Sequence, residues 1–294
     1  MTISPKVSIH IITFNQKDFI REAIDSALAQ DYPNFEVVVA DDASTDGTAA
    51  IVADYARTNP NRVVAVLNPV NLGITGNSNV GLKACTGEFI AFMGGDDILL
   101  PGKISAQAKW FADHPVRALC GHQVETFYQD GSRPPHPLSR RLLAGVGAEA
   151  FIKYNPFGAT SVMVRASRIP SFGFDETLPV MSDQTFWVDV LREDGEFGFV
   201  DATYARYRRH ADNVTNDQLH HIQDVELHLA NVGRRYPIFG AAVRWATTRR
   251  LFYDVGVALA DAGRVREARA KFLGAIRREP WFAKAWVRLA QTFL

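Results

Sequence analysis

Residues 89 to 104, FIAFMGGDDILLPGKI, run as an apolar strand and then stop on two glycines and two adjacent carboxylates, Asp96 and Asp97. Like charges this close repel and raise each other's pKa unless a cation sits beside them. A divalent metal is one such partner, because hard cations choose oxygen ligands. A solvated strand-to-helix turn, with Asp as a helix N-cap ahead of Pro101, is the other reading. Two more carboxylates stand together in DDASTDGT, residues 41 to 48. Asp42 is the right group to accept the imide N–H of a uracil or thymine ring, and Ser44, Thr45 and Asp46 suit the capping of a following helix. Capping leaves Asp41 and Asp42 unexplained. In SDQTFWVDVL, residues 182 to 191, Ser182 reads as an N-cap and Asp183 sits in the first turn, where the helix dipole favours a carboxylate. Asp183 is a helix-start acid or a general base, and Phe186, Val190 and Leu191 form the packing face. In YARYRRH, residues 204 to 210, His210 could complete a metal site and Arg208 or Arg209 could neutralise phosphate; three such side chains in a row also suit a solvated loop.

These groups need a scaffold. VSIHII (7 to 12), FEVVVA (35 to 40), RVVAVL (62 to 67) and EFIAFM (88 to 93) read as strands. Between them lie helical patterns: residues 17 to 30, with Ile20, Ala23, Ile24, Ala27 and Leu28 on one face, Asp46 to Tyr55, and a third ending near Cys85. Strands alternating with helices imply a parallel sheet covered on both faces, with ligands beyond the carboxyl ends of the strands. The polar clusters at Thr13-Phe14-Asn15, 41 to 48 and 94 to 97 fall at those ends. No Gly-x-x-x-x-Gly-Lys or Gly-x-Gly-x-x-Gly follows any strand, so a diphosphate there would need a metal.

With 294 residues, 47% of them hydrophobic, the chain can bury a sizeable core, and 32 Lys and Arg against 32 Asp and Glu give no basic field for nucleic acid. Cys85 and Cys120 lie far apart in apolar surroundings, as buried thiols of a reducing compartment do. MTISPKVS enters a strand without a signal-peptide pattern and no run is long enough to cross a bilayer, so a cytoplasmic address, or the inner face of a membrane, is expected.

The run VSIHIITFNQKDFIREAIDSALAQDYPNFEVVVADDASTDGT, followed by NLGITGNSNVGLKACTGEFIAFMGGDD, closely resembles family 2 glycosyltransferases, which are inverting enzymes of the GT-A fold. The resemblance rests on several motifs in order over roughly the first 210 residues. It implies an α/β GT-A nucleotide-diphospho-sugar transferase fold, with a mostly parallel sheet and helices on both faces. Residues 1–100 would bind the nucleotide-sugar, 101–215 would bind the acceptor and supply the base, and 216–294 would form an α-helical extension. It further implies that Thr13, Asn15 and Asp42 border base and ribose, with Asp41, Asn79 and Arg208 in the same nucleotide-sugar set. Asp97 would be the principal ligand of Mn2+ or Mg2+ and Asp96 the ribose partner, with the opposite assignment open and His210 at metal or phosphate. The donor would be a UDP- or dTDP-sugar and the acceptor a saccharide or lipid-linked saccharide, in bacterial surface polysaccharide assembly.

FGFDETLPVMSDQTFWVDVLRE, residues 172 to 193, resembles the family segment in which a Glu-Asp pair opens a helix and its Asp is the base, which implies Asp183. Two departures stand out: Gly94 where many members carry the leading Asp of Asp-x-Asp-Asp, and Ser182 where the Glu stands. They leave open a degenerate scaffold acting through its C-terminal helices. A sugar nucleotidyltransferase would need a Gly-rich, basic loop after the first strand, and TFNQKDF is none. Residues 121 to 145 carry a turn and prolines, as a mobile acceptor-site loop would, and 155 to 165 read as a loop entering a strand.

From Gly233 to Leu294 there are 13 Lys and Arg against 4 Asp and Glu, about +9 set against about −9 in the remainder. Phe252, Val255-Gly256, Leu259, Ala268, Phe272 and Pro280 fall at the spacing of one tetratricopeptide repeat. A lone repeat must cover its apolar face. Packing in cis, a homodimer, or contact with an anionic membrane through the arginines and Trp281, Phe282, Trp286 and Phe293 are the expected alternatives.

Overall fold

The β-branched runs become the parallel half of a sheet in the computed structural model, which describes residues 4–137, 147–216 and 221–293. Strands β1 (Val7–Thr13), β2 (Phe35–Asp41), β3 (Val63–Leu67) and β4 (Phe89–Gly94) alternate with helices α1 (Ile20–Leu28), α2 (Thr48–Thr58) and α3 (Gly73–Ala84). All seven residues of β2 are buried, as in a strand covered on both faces. The α1 residues Ile20, Ala23, Ile24 and Ala27 are buried as their spacing requires.

Then follow β5 (Ile98–Leu99), α4 (Lys103–Asp113), β6 (Leu119–Tyr128), β7 (His136–Pro137), α5 (Ala148–Tyr154), β8 (Met163–Arg165), α6 (Ser182–Leu191) and β9 (Phe197–Arg209). The sheet order is β3-β2-β1-β4-β8-β6-β9-β5, with β7 on β6. It is mixed: β8 runs antiparallel to β4 and β6, and β5 antiparallel to β9, while the long β1–β2, β1–β4 and β6–β9 ladders are parallel. Residues 204 to 209 thus lie in β9 rather than in a solvated loop, because the β6 ladder holds them. Of the expected loop, 121 to 128 lie in β6, because they pair with β9, and 138 to 145 lie outside the described residues.

The C-terminal part comprises α7 (His221–Arg235), α8 (Gly240–Ala246), a π-helical turn (Thr247–Asp254), α9 (Val255–Asp261), α10 (Val265–Arg278) and α11 (Ala283–Gln291). Its first half packs in cis: Val225, Leu229, Val232, Phe239, Ala242, Ala246 and Leu251 share one core with Phe92, Phe186 and Trp187. In its second half, α9 and α10 form a hairpin around Val255, Leu259, Ala268 and Phe272. A Cβ on Gly256 would come within 2.7 Å of the Phe272 ring, so this close crossing needs glycine. Cys85 and Cys120 are free thiols, both pushed up to about 12 by burial. No helix among the described residues is long and apolar enough to cross a membrane.

Candidate functional site

The loops after β1 and β2 are stitched into one rim. Asn15 and Ala43 both take left-handed backbone conformations, at φ 51° and 60°. Non-glycine residues hold such angles where the surroundings over-determine them, often at functional sites. Ser44 Oγ accepts the Asn15 N–H at 2.8 Å, and Thr45 N–H donates to Asn15 Oδ1 at 2.9 Å. Ser44 and Thr45 therefore join loops and do not cap α2, contrary to expectation. Asp46 alone touches that helix start, accepting from Thr48 N and Oγ1 while its other oxygen takes the Lys17 N–H. Thr13 is buried and bonded to Gln16.

Asp42 Oδ1 accepts from Leu72 N at 2.7 Å and Asn68 Nδ2 at 3.2 Å. Asp41 Oδ2 accepts the Ser44 N–H, while its Oδ1, on a residue 1% exposed, has no hydrogen-bond partner among the described residues. A buried carboxylate oxygen without a donor is costly unless something supplies one.

At the end of β4 the two neighbouring acids turn to different partners. Asp97, 3% exposed, takes the Thr160 hydroxyl on Oδ2 and the Arg208 N–H on Oδ1 at 3.1 Å. Burial and the charge of Asp96 push its carboxyl well above the usual range. Asp96 stands closer to solvent, with Oδ2 3.0 Å from His210 Nε2 and 3.3 Å from Asn213 Nδ2. Its Oδ1 fills the place a side chain at 94 would take, since a Cβ on Gly94 would lie 2.6 Å from it. Asp96 meets His210, whereas both oxygens of Asp97 are taken by the Thr160 hydroxyl and the Arg208 N–H, so the expected set of three is not ready-made. Among the described residues no three His, Cys, Asp or Glu side chains form a ready metal cage. Asp96 with His210 is nonetheless a fitting two-ligand start, since a cation carried by a diphosphate takes its remaining ligands from phosphate and water.

Arg208 does not reach outward as expected for a phosphate ligand. It is 4% exposed, sandwiched between Phe19 and Phe127, and donates to the Asp96 carbonyl, Gln129 and Glu22. It braces the turn that carries the carboxylates. Asn79 is likewise spent elsewhere: its amide donates to Phe174 O and Glu176 and accepts from Phe174 N, tying α3 to the loop that leads into α6.

Helix α6 is clamped to β4 by aromatic packing, with Phe92 against Phe174, Phe186 and Trp187 and the Phe174 and Phe186 rings stacked at 3.9 Å. The expected packing residues Phe186, Val190 and Leu191 are fully buried. Ser182 is not the N-cap; its hydroxyl bonds Thr75. The N–H groups of Val180 and Met181 are instead taken by the buried Asp224 of α7, at 2.9 and 2.7 Å. Asp183 lies half-buried in the first turn and accepts the Gln184 N–H at 2.7 Å. Loss of solvent pushes its carboxyl up to about 6, opposed by that hydrogen bond and by Arg250. A base poised near neutrality suits removal of a hydroxyl proton.

Thr160, Glu22, Asp224 and Arg250 were absent from the sequence reading, since each acts across a large separation in the chain and no local pattern marks it. Lys103 is another: fully buried, it reaches the Thr160 carbonyl at 3.1 Å.

The model of the family described as "Glycosyl transferase family 2" matches residues 8–168. An uncharacterized protein of Mycobacterium tuberculosis is 35% identical over 215 residues, 71% of this chain and 60% of its own length. This chain thus spans about 60% of that relative. The Escherichia coli protein WfaP, named UDP-Glc:alpha-D-GlcNAc-diphosphoundecaprenol beta-1,3-glucosyltransferase, is 28% identical over 71% of this chain and 79% of its own. Among solved structures, Staphylococcus aureus TarS in complex with UDP-GlcNAc superposes with a TM-score of 0.70 at 17% identity, covering 98% of this chain and 89% of that one. The Pyrobaculum calidifontis mannosyltransferase PcManGT, in complex with GDP-Man and Mn2+, gives 0.65 at 19%, covering 99% and 86%. At these identities the likeness is one of fold, the GT-A fold with helices beyond it.

Proposed function

The chain belongs to glycosyl transferase family 2, and from that premise we propose that it moves a sugar, with inversion, from a UDP- or dTDP-sugar to a saccharide or lipid-linked saccharide. The observation that carries this reading is Asp183, one carboxylate poised near neutral pH on a helix locked to the strand that ends in Asp96 and Asp97. Asp183 takes the proton of the acceptor hydroxyl as its oxygen attacks the anomeric carbon; the sugar–phosphate bond breaks on the opposite face and the nucleoside diphosphate departs with the bonding electrons. Asp96 and His210 would hold a divalent cation, Mn2+ or Mg2+, whose charge offsets that of the leaving diphosphate. Asp97 orients the turn from behind, and the orphaned Asp41 oxygen and Asp42 offer acceptors to the base and ribose. A UDP-sugar and a lipid-diphosphate acceptor are the substrates in the name of the E. coli relative, which supports that choice here.

The test is a panel of UDP- and dTDP-sugars incubated with and without MnCl2, scored for slow donor hydrolysis and for UDP binding by calorimetry. Asp183→Asn is expected to bind UDP normally and to lose turnover about 100-fold or more. Normal turnover by that variant removes the base assignment. Absence of both UDP binding and hydrolysis in the parent chain leaves a scaffold, not an enzyme.

A further inference from the structure

The helices after residue 216 do more than cover apolar surface, because four polar side chains from them grip α6 or the residues leading into it. Asp224 holds the two N–H groups that precede its first turn. His228 Nδ1 meets the Thr185 hydroxyl at 2.8 Å, and Arg235 bridges Asp175 and Asp189. From the π-helical turn, Arg250 donates one N–H to the Ile152 carbonyl at the end of α5, at 2.9 Å, and another to Gln184 Oε1. Gln184 is the residue whose backbone N–H holds Asp183.

Stretches of π-helix are rare and gather at functional sites. On this turn the adjacent arginines reach different partners. Arg249 pairs with Glu279 and stacks on Trp245 and Phe282, while Arg250 turns in toward α5 and α6.

We propose that Arg250 is a positioning residue for Asp183: braced between α5 and Gln184, it fixes the first turn of α6 and supplies the positive charge that this carboxylate otherwise lacks. The assignment rests on Asp183 as the base. The other charged groups packed around α6 are already matched. Asp189 is held by Arg235 and Tyr236, Asp175 by Arg235, and Glu176 by Asn79; Asp224 holds backbone N–H groups. On α5, Lys153 pairs with Glu149. His228 is kept neutral by burial and by Arg250, its pKa lowered to about 3. Asp254, on the same turn, is raised by burial and shares the charge of Arg250 with Asp183, with Lys284 as a further, weaker cation. Arg250 is thus the cation whose charge favours the ionised form of Asp183.

The experiment follows the Asp183 carboxyl directly by NMR, in full-length protein carrying 13C-labelled aspartate. Its resonance is the one missing from Asp183→Asn. In Arg250→Met the titration midpoint is expected to rise by about 1 from its parent value, and Arg250→Lys should move it less. In donor hydrolysis with UDP-glucose this gives about fivefold lower turnover at pH 6 and less than about 1.2-fold at pH 8, since a rise of 1 in midpoint changes the ionised fraction that much. A merely structural arginine would lower turnover equally at both pH values. Should Arg250→Met fail to fold, Gln184→Met removes the acceptor that aims the guanidinium and must shift the midpoint in the same direction. An unmoved midpoint overturns the proposal. If Asp183→Asn turns over normally, the base assignment fails separately, whatever Arg250 does to the titration.

Discussion

Replacing Lys103 with methionine should stabilise the protein at low pH and not at high pH. Lys103 opens α4 with none of its side chain exposed, and its Nζ donates to the Thr160 carbonyl at 3.1 Å. Burial pulls its pKa from 10.5 down to about 7. Holding the charged form in the fold therefore costs ~5 kcal/mol below pH 7. The native state releases this proton before the unfolded chain does, so between about pH 7 and 10.5 the unfolded state binds more protons and stability rises with pH. The cost is full below the folded pKa and gone above the unfolded one. Methionine has a similar unbranched shape and no charge, but it leaves the Thr160 carbonyl without its donor, a loss of ~1–3 kcal/mol. Lys103→Met should thus be more stable than the parent by ~2–4 kcal/mol at pH 6. That advantage should shrink by ~1.4 kcal/mol per pH unit above 7 and be nearly gone by about pH 9.5. Urea denaturation of both proteins at steps from pH 6 to 9.5, with unchanged m, reads the difference. A difference that stays constant with pH would refute the reasoning, because it would mean that the ammonium is not destabilised by burial at all.

Asp224→Ala leaves the Val180 and Met181 N–H groups without their acceptor and should cost ~2–4 kcal/mol in urea denaturation, with turnover reduced more than UDP affinity. Calorimetry at a fixed temperature, beside the hydrolysis assay, separates the two effects. Gly94→Ala puts a Cβ 2.6 Å from Asp96 Oδ1 and must turn that carboxylate away from His210, so manganese-dependent UDP binding should weaken by about tenfold or more while stability changes little; unchanged binding would show that Asp96 does not serve the metal. Trp281, Trp286 and Phe293 are 86%, 50% and 68% exposed at the end of the basic tail. They predict sedimentation with anionic but not neutral liposomes at low salt, weakened at high salt. A chain that stays in the supernatant with both makes the tail a cis-packed or oligomerising element.

Much of the scaffold was written in local pattern. Short apolar runs marked β1 to β4 within about a residue of their limits, because a strand covered on both faces can carry little else. The polar clusters at 13–15, 41–46 and 94–97 then had to meet at one sheet edge, since parallel strands all point their carboxyl ends the same way. Asp183 in the first turn of a helix was legible for the same local reason.

The roles within the site were decided elsewhere. Whether Asp96 or Asp97 faces solvent depends on Thr160, Arg208 and His210, which lie 63, 111 and 114 residues along the chain from their partners. Arg208 looked like a phosphate ligand, and two aromatic rings and Glu22 made it a brace. Ser182 looked like a cap, and Asp224 took that work from a different helix. By itself the sequence determined which elements form and where their reactive ends gather, because both follow from side-chain periodicity and strand direction. Only the tertiary structure decided which carboxylate is desolvated, which is paired and which cation faces it, because burial and charge at a point are sums over neighbours far apart in the chain.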